Sequence, residues 1–109
     1  MIDPKLFSGT LDMLLLRLLS QQPSYGYEIA QRLKRESSEY FELKEGSLYP
    51  ALHRLEHKGL LQSYWEVADG RRRKYYKVTA AGRKSYETRH TQWHDFVAGV
   101  AGILGGGHG

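Results

Sequence analysis

Four consecutive cations, Arg71, Arg72, Arg73 and Lys74, follow directly on an Asp-Gly pair. Side chains of this kind in a row meet polyanions: each can neutralise a phosphate and release its condensed counterions, and an arginine can enter a narrow minor groove. The charge is local. Between Arg71 and Tyr86 there are seven basic residues and no acid, which leaves nine cations against twelve acids elsewhere. A net charge of +4 therefore conceals a basic patch on an otherwise acidic chain. That asymmetry points to nucleic acid or an anionic membrane surface before a small substrate. A basic hairpin is also a common guard against edge-to-edge aggregation, so the run alone does not decide.

A second constellation lies between residues 46 and 57. At helical spacing, Leu48, Ala51, Leu52 and Leu55 share one face, and the opposite face carries Gly46, Pro50, His53 and His57, flanked by Tyr49 and Arg54. The start of such a helix offers free N–H groups to phosphates. Gly46 permits close approach, and Ser47 and Tyr49 can donate to phosphates or base edges. The same stretch contains a decoy, because His53-Arg54-Leu55-Glu56-His57 fits the H-x-x-E-H pattern of zinc proteases. No third ligand stands in a comparable context and both histidines fall on the face assigned to DNA, so neither catalysis nor a metal is expected. His90 and His94 repeat the i, i+4 spacing and are read as interface and surface residues. No cofactor is expected: there is no nucleophile triad, phosphate-binding glycine loop or dinucleotide fingerprint.

The elements that must position these residues follow from periodicity. Phe7, Leu11, Leu14, Leu15 and Leu18 mark an amphipathic helix that Pro23 stops. Ser24 is a candidate N-cap for a second helix with Tyr25, Ile29, Ala30 and Leu33 on one face, running out near Glu36. A third helix begins near Gly46, holds Pro50 in or close to its first turn and ends before Gly59. Residues 60–67 and 72–78 then read as two strands of a hairpin with an Asp-Gly turn, separated by residues 68–71. Thr79 can cap a fourth helix of about 25 residues, in which Tyr86, His90, Trp93, Val97, Val100 and Leu104 form a heptad-like seam. At 1.5 Å per residue it is about 37 Å long, more than the rest of so small a domain can cover, and a second copy of the chain is the expected cover. Gly99 and Gly102, with Ala98 and Ala101, read as close helix packing or fraying.

With 109 residues, 40% hydrophobic and 26% charged, the chain has the size and composition of one folded domain. No cysteine is present, which excludes disulfides and thiolate metal sites. The first nine residues do not resemble a signal peptide and the apolar runs fall short of the roughly 20 residues that span a bilayer, so a cytoplasmic protein without a membrane partner is expected. The fold class is mainly α with a small β-hairpin (α+β): a winged helix-turn-helix over residues 1–78, a dimerisation helix over 79–104 and a disordered tail over 105–109.

The residues themselves are familiar in combination. Ser24-Tyr25-Gly26-Tyr27-Glu28-Ile29, Glu45-Gly46-Ser47-Leu48-Tyr49-Pro50-Ala51-Leu52-His53-Arg54-Leu55-Glu56, Gly59-Leu60-Leu61 and the basic, tyrosine-containing wing from Gly70 to Thr79, followed by Gly82, resemble the PadR family of bacterial transcriptional regulators over about residues 8–104. The resemblance implies a winged-helix repressor, a homodimer joined through its C-terminal helix, that binds a pseudo-palindromic double-stranded operator and releases it when an effector binds. The residues facing DNA would be Tyr27, Lys44, Gly46, Ser47, Tyr49, Pro50, His53, Arg54, Arg71, Arg72, Arg73 and Lys74. The single short C-terminal helix resembles the compact subfamily, some of whose members hold small aromatic effectors in a pore at the dimer interface. Two readings of Trp93 stand side by side: a residue of that pore, and simple packing in the dimer seam. Two rival functions do as well, a small-molecule or metal-binding dimer whose basic hairpin is incidental and a winged helix serving only protein contacts; neither would show salt-dependent DNA affinity.

Overall fold

The computed structural model describes residues 10–105. Their order is α1 (Leu11–Gln21), β1 (Ser24–Tyr25), α2 (Gly26–Glu36), α3 (Glu45–His57), β2 (Leu61–Ala68), β3 (Arg71–Val78) and α4 (Ala80–Leu104). Phe7, and the part of the tail beyond Gly105, lie outside the described residues. The three strands form one antiparallel sheet in the order β1-β3-β2. This α+β arrangement of three helices, a small three-stranded sheet and a long last helix is a winged helix with a C-terminal extension. No helix among the described residues is long and apolar enough to cross a membrane.

The core is built by the expected face of α3, whereas α1 turns a shifted face inward: Leu16 and Leu19 join Leu11 and Leu15, and Leu14 is only half-buried. Leu15, Leu16 and Leu19 of α1, Ile29 of α2, and Leu48, Leu52 and Leu55 of α3 meet Leu61 of β2 and Tyr76 and Val78 of β3. Burying each such side chain stabilises by roughly 1.5–3 kcal/mol. Helix α3 ends as expected at Gly59, whose φ of +78° lies in the left-handed region. There the Leu60 and Gly59 amides donate to the carbonyls of Leu55 and Glu56, both at 2.9 Å, and close the helix.

Three expectations need correction. Ser24 does not cap α2: Tyr25 occupies that position, and Ser24 lies in β1, paired with Tyr76. The reason is buried Arg32, whose Nη1 donates to Ser24 Oγ at 2.8 Å while Nη2 donates to the Leu18 carbonyl at 2.8 Å and Gln21 Oε1 at 3.0 Å. One guanidinium thus draws the end of α1 and the start of α2 together and lays Ser24 and Tyr25 along the hairpin, making a third strand. Pro50 lies past the first turn, at the sixth residue of α3. It cannot donate to the carbonyl of Gly46, which stands at the exposed start of the helix, where water is available. The hairpin turn is two residues, not four. Asp69 and Gly70 both have positive φ, 54° and 73°, the signature of a type I′ turn, whose twist matches that of the strands. Pairing therefore continues to Ala68 opposite Arg71, and all four cations of the run belong to β3.

Thr79 opens α4 as its N-cap. Its hydroxyl accepts from the Gly82 amide at 3.0 Å and donates to the Gly59 carbonyl at 2.7 Å, so the end of α3 and the start of α4 share one side chain. Gly82 is buried there, but from Thr91 to Val100 every residue is exposed.

Candidate nucleic-acid interface

The exposed face of α3 and the hairpin enclose a groove of about 630 Å³. It is lined by Tyr27, Tyr49, His53, Arg71, Arg72, Arg73 and Lys74 from the expected set, and by Tyr25, Gly26, Glu45, Trp65 and Tyr76. Two local features bring them together. In α3 the 3.6-residue period buries Leu48, Ala51, Leu52 and Leu55 and leaves Gly46, Pro50 and His53 outside. In the hairpin the period of two puts Arg72, Lys74 and Tyr76 on one face of β3 and Arg71, Arg73 and Tyr75 on the other.

Aromatic rings hold the cations of the wing. The Arg72 guanidinium lies 4.7 Å from the Trp65 ring centre, that of Arg73 lies 4.4 Å from Tyr25, and Lys74 Nζ lies 5.5 Å from Tyr76. On the outer face, Tyr75 stacks on Tyr64 at 5.6 Å and meets Tyr25 edge-on at 5.4 Å. These contacts make Tyr75 a strand-packing residue. Tyr76 is 1% exposed, and its hydroxyl and Arg73 Nε are buried without a hydrogen-bond partner among the described residues. Burial, then the Glu56 carboxylate and the Tyr49 phenol, push the Tyr76 hydroxyl above the usual phenol range.

Tyr49 also sets how closely α2 and α3 approach. A Cβ on Gly26 would fall 2.3 Å from the Tyr49 hydroxyl, so this glycine makes room for the tyrosine beside the groove. Lys44, Gly46, Ser47 and Pro50 are exposed at the N-terminal end of α3, outside the groove lining. The Ser47 and Leu48 amides already donate to the Lys44 carbonyl, at 3.0 and 2.9 Å, and the helix start carries no side-chain cap. Its remaining N–H groups suit an incoming anion.

Arg54 stands apart from this set. Its Nη2 donates to Asp12 Oδ1 on α1, which ties α3 to the body of the domain. Within the H-x-x-E-H stretch Glu56 accepts from Ser63 Oγ of β2, and His53, exposed like His57, lies beside Tyr49 with ring centres 6.3 Å apart. No cluster of three or more His, Cys, Asp or Glu among the described residues could hold a metal.

Along α4 the seam residues divide. Tyr86 is half-buried against this chain's own core and stacks on His90 at 5.5 Å. Trp93, Val97, Val100 and Leu104 are exposed, with Phe96 and Ile103 beside them, and Trp93 stacks on Phe96 at 6.1 Å. A Cβ at Gly99 or Gly102 would meet nothing within 4 Å among the described residues.

Of the residues that sequence reasoning left out of the interface, Trp65 is the most informative. Its signal was available: in a hairpin closed at Asp69-Gly70, Trp65 stands opposite Lys74. Tyr25 and Gly26 gave no comparable signal, because Tyr25 reaches the groove through the third strand and Gly26 as the first residue of α2 behind it.

Comparison with known proteins agrees with this architecture. The transcriptional regulator PadR-like family matches residues 15–88. An uncharacterized protein of Lysinibacillus sphaericus is 35% identical over 94 residues, 85% of this chain and 86% of its own. A transcriptional regulator of Mycobacterium tuberculosis is 46% identical over 59 residues, 54% of this chain and 52% of its own. Among solved structures, a transcriptional regulator from Clostridium thermocellum superposes with a TM-score of 0.87 at 32% identity, covering 95% of this chain and 99% of that one. A PadR family transcriptional regulator from Eggerthella lenta gives 0.81 at 36% identity, covering 92% and 86%.

Proposed function

Since the chain belongs to the PadR-like family of transcriptional regulators, we propose that it acts as a homodimeric, sequence-specific DNA-binding repressor in the cytoplasm, released from a pseudo-palindromic operator by an effector. The observation that carries this reading is the groove that the four wing cations line together with Tyr49 and His53 of α3. Helix α3 presents its start, with Gly46, Ser47 and Tyr49, to the major groove, where base edges carry distinct donor and acceptor patterns. The wing contributes phosphate contacts, which set affinity and register but carry no sequence information.

Dimerisation is supported by the apolar stripe of α4. Trp93, Phe96, Val97, Val100, Ile103 and Leu104 form an exposed band that no part of the described chain covers. A two-fold pair of such helices would set two α3 helices at a fixed spacing on symmetric half-sites. Trp93, stacked on Phe96 at the N-terminal end of the band, is the residue proposed to meet a planar aromatic effector.

The test is direct. Genomic fragments are selected on the purified protein and sequenced, and affinity for the recovered fragment is measured against salt concentration. A shared palindromic element with a steep salt slope supports the proposal; recovery of random fragments, or none, refutes sequence-specific binding.

A further inference from the structure

The wing carries a side chain for which the core has no use. Trp65 is 55% exposed, and its strand neighbour Val67 is exposed as well. An indole left in water is unfavourable unless something else employs it. Here the Arg72 guanidinium lies over its ring at 4.7 Å. The register explains the contact: Trp65 stands opposite Lys74 and Val67 opposite Arg72, so Trp65 and Arg72 are diagonal neighbours on one face of the hairpin. Both line the groove beside α3.

The stack covers one plane of the guanidinium and leaves its edge free. All five N–H donors of an arginine lie in that edge plane, so a guanidinium resting on an aromatic ring can still engage a phosphate or a base edge. An unstacked arginine must surrender its rotamer freedom on binding, whereas a stacked one has already given much of it up. Lysine cannot substitute, since an ammonium carries the charge but has no plane to stack.

We propose that Trp65 is a positioning residue for DNA recognition, holding Arg72 stacked and aimed into the groove between α3 and the wing. This rests on the DNA-binding function proposed above.

The experiment measures affinity for the selected operator fragment across a range of salt concentrations. It uses full-length wild type, Trp65→Ala, Trp65→Phe, Arg72→Lys, Arg72→Ala and the double variant Trp65→Ala/Arg72→Ala. Trp65→Ala should weaken binding about tenfold, with the salt slope unchanged because no charge is lost. Trp65→Phe should recover most of that loss. Arg72→Lys should lose affinity at constant slope, and Arg72→Ala should lose both affinity and slope. In the Arg72→Ala background, Trp65→Ala should cost nothing further, because the side chain it positions is gone. Thermal unfolding shows which variants are folded, and the Trp65→Phe and Arg72→Lys results carry the test if an alanine variant is not. Wild-type affinity in Trp65→Ala, or an equal loss with and without Arg72, overturns the positioning role alone. A wild-type protein that binds no DNA fragment overturns the DNA-binding function and this role together.

Discussion

The Asp12 carboxylate on α1 accepts the Arg54 guanidinium on α3. Its other oxygen lies 3.9 Å from Nη1 of Arg89 on α4, and the Asp12 side chain is only 13% exposed. One acid therefore joins the helix that faces the groove to the helix that carries the apolar stripe. Asp12→Ala and Arg54→Ala are each expected to destabilise the fold by about 1 kcal/mol, with less than additive loss in the double variant. Urea denaturation measures this. Arg54→Ala should leave the salt slope of DNA binding unchanged, and a flattened slope would return Arg54 to the DNA-contact set.

The wing arginines should behave in the opposite way. If Arg72 and Arg73 each neutralise one phosphate per subunit, a dimer lacking both loses four contacts, and the slope of log K against log salt should flatten by about 3.6. Stability should change little. An unaltered slope excludes the wing from phosphate contact.

Gly82 is placed where no side chain fits. A Cβ there would lie 2.1 Å from the Leu60 carbonyl oxygen and 2.6 Å from Val78 Cγ2. The oxygen belongs to backbone, which cannot step aside as a flexible side chain can. Gly82→Ala should therefore destabilise by about 3 kcal/mol despite the better helix propensity of alanine, as read from the denaturation midpoint.

Truncation after Thr88 removes the exposed stripe of α4 and should convert dimer to monomer or aggregate, as seen by sedimentation velocity. Full-length protein that sediments as a monomer at micromolar concentration contradicts the dimer. Trp93→Ala separates the two readings of that residue. Loss of roughly 3 kcal/mol or more of dimer stability marks a packed seam; an intact dimer that no longer binds flat aromatic cations marks an effector site.

Tyr76 offers a test at alkaline pH. Its hydroxyl is buried without a hydrogen-bond partner among the described residues, and its folded-state pKa is raised mainly by burial. The unfolded chain ionises first, so the stability tied to this group is intact below about pH 10 and is lost as pH rises beyond it. Tyr76→Phe should match or exceed wild-type stability at neutral pH and widen its advantage above pH 10, as measured by urea midpoints at both values.

The sequence by itself determined the four helices and the two-stranded hairpin, because their periods and stop signals are local. The leucines at helical spacing, Gly59 behind α3, Asp69-Gly70 between two aromatic-rich strands, and Thr79 ahead of α4 each specify backbone geometry within a few residues. It also determined the chemistry of the interface, since a run of four cations is a property of composition and not of contacts. Tertiary structure decided what each polar group is used for. Arg54 and Arg72 look alike in the sequence, yet one is a strut to Asp12, forty-two positions away, and the other rests on Trp65 across a hairpin. Ser24 reads as a helix cap until buried Arg32 draws it into a strand against Tyr76. These outcomes depend on pairings between distant residues, and a guanidinium takes whichever carboxylate, carbonyl or ring the packed elements bring within reach.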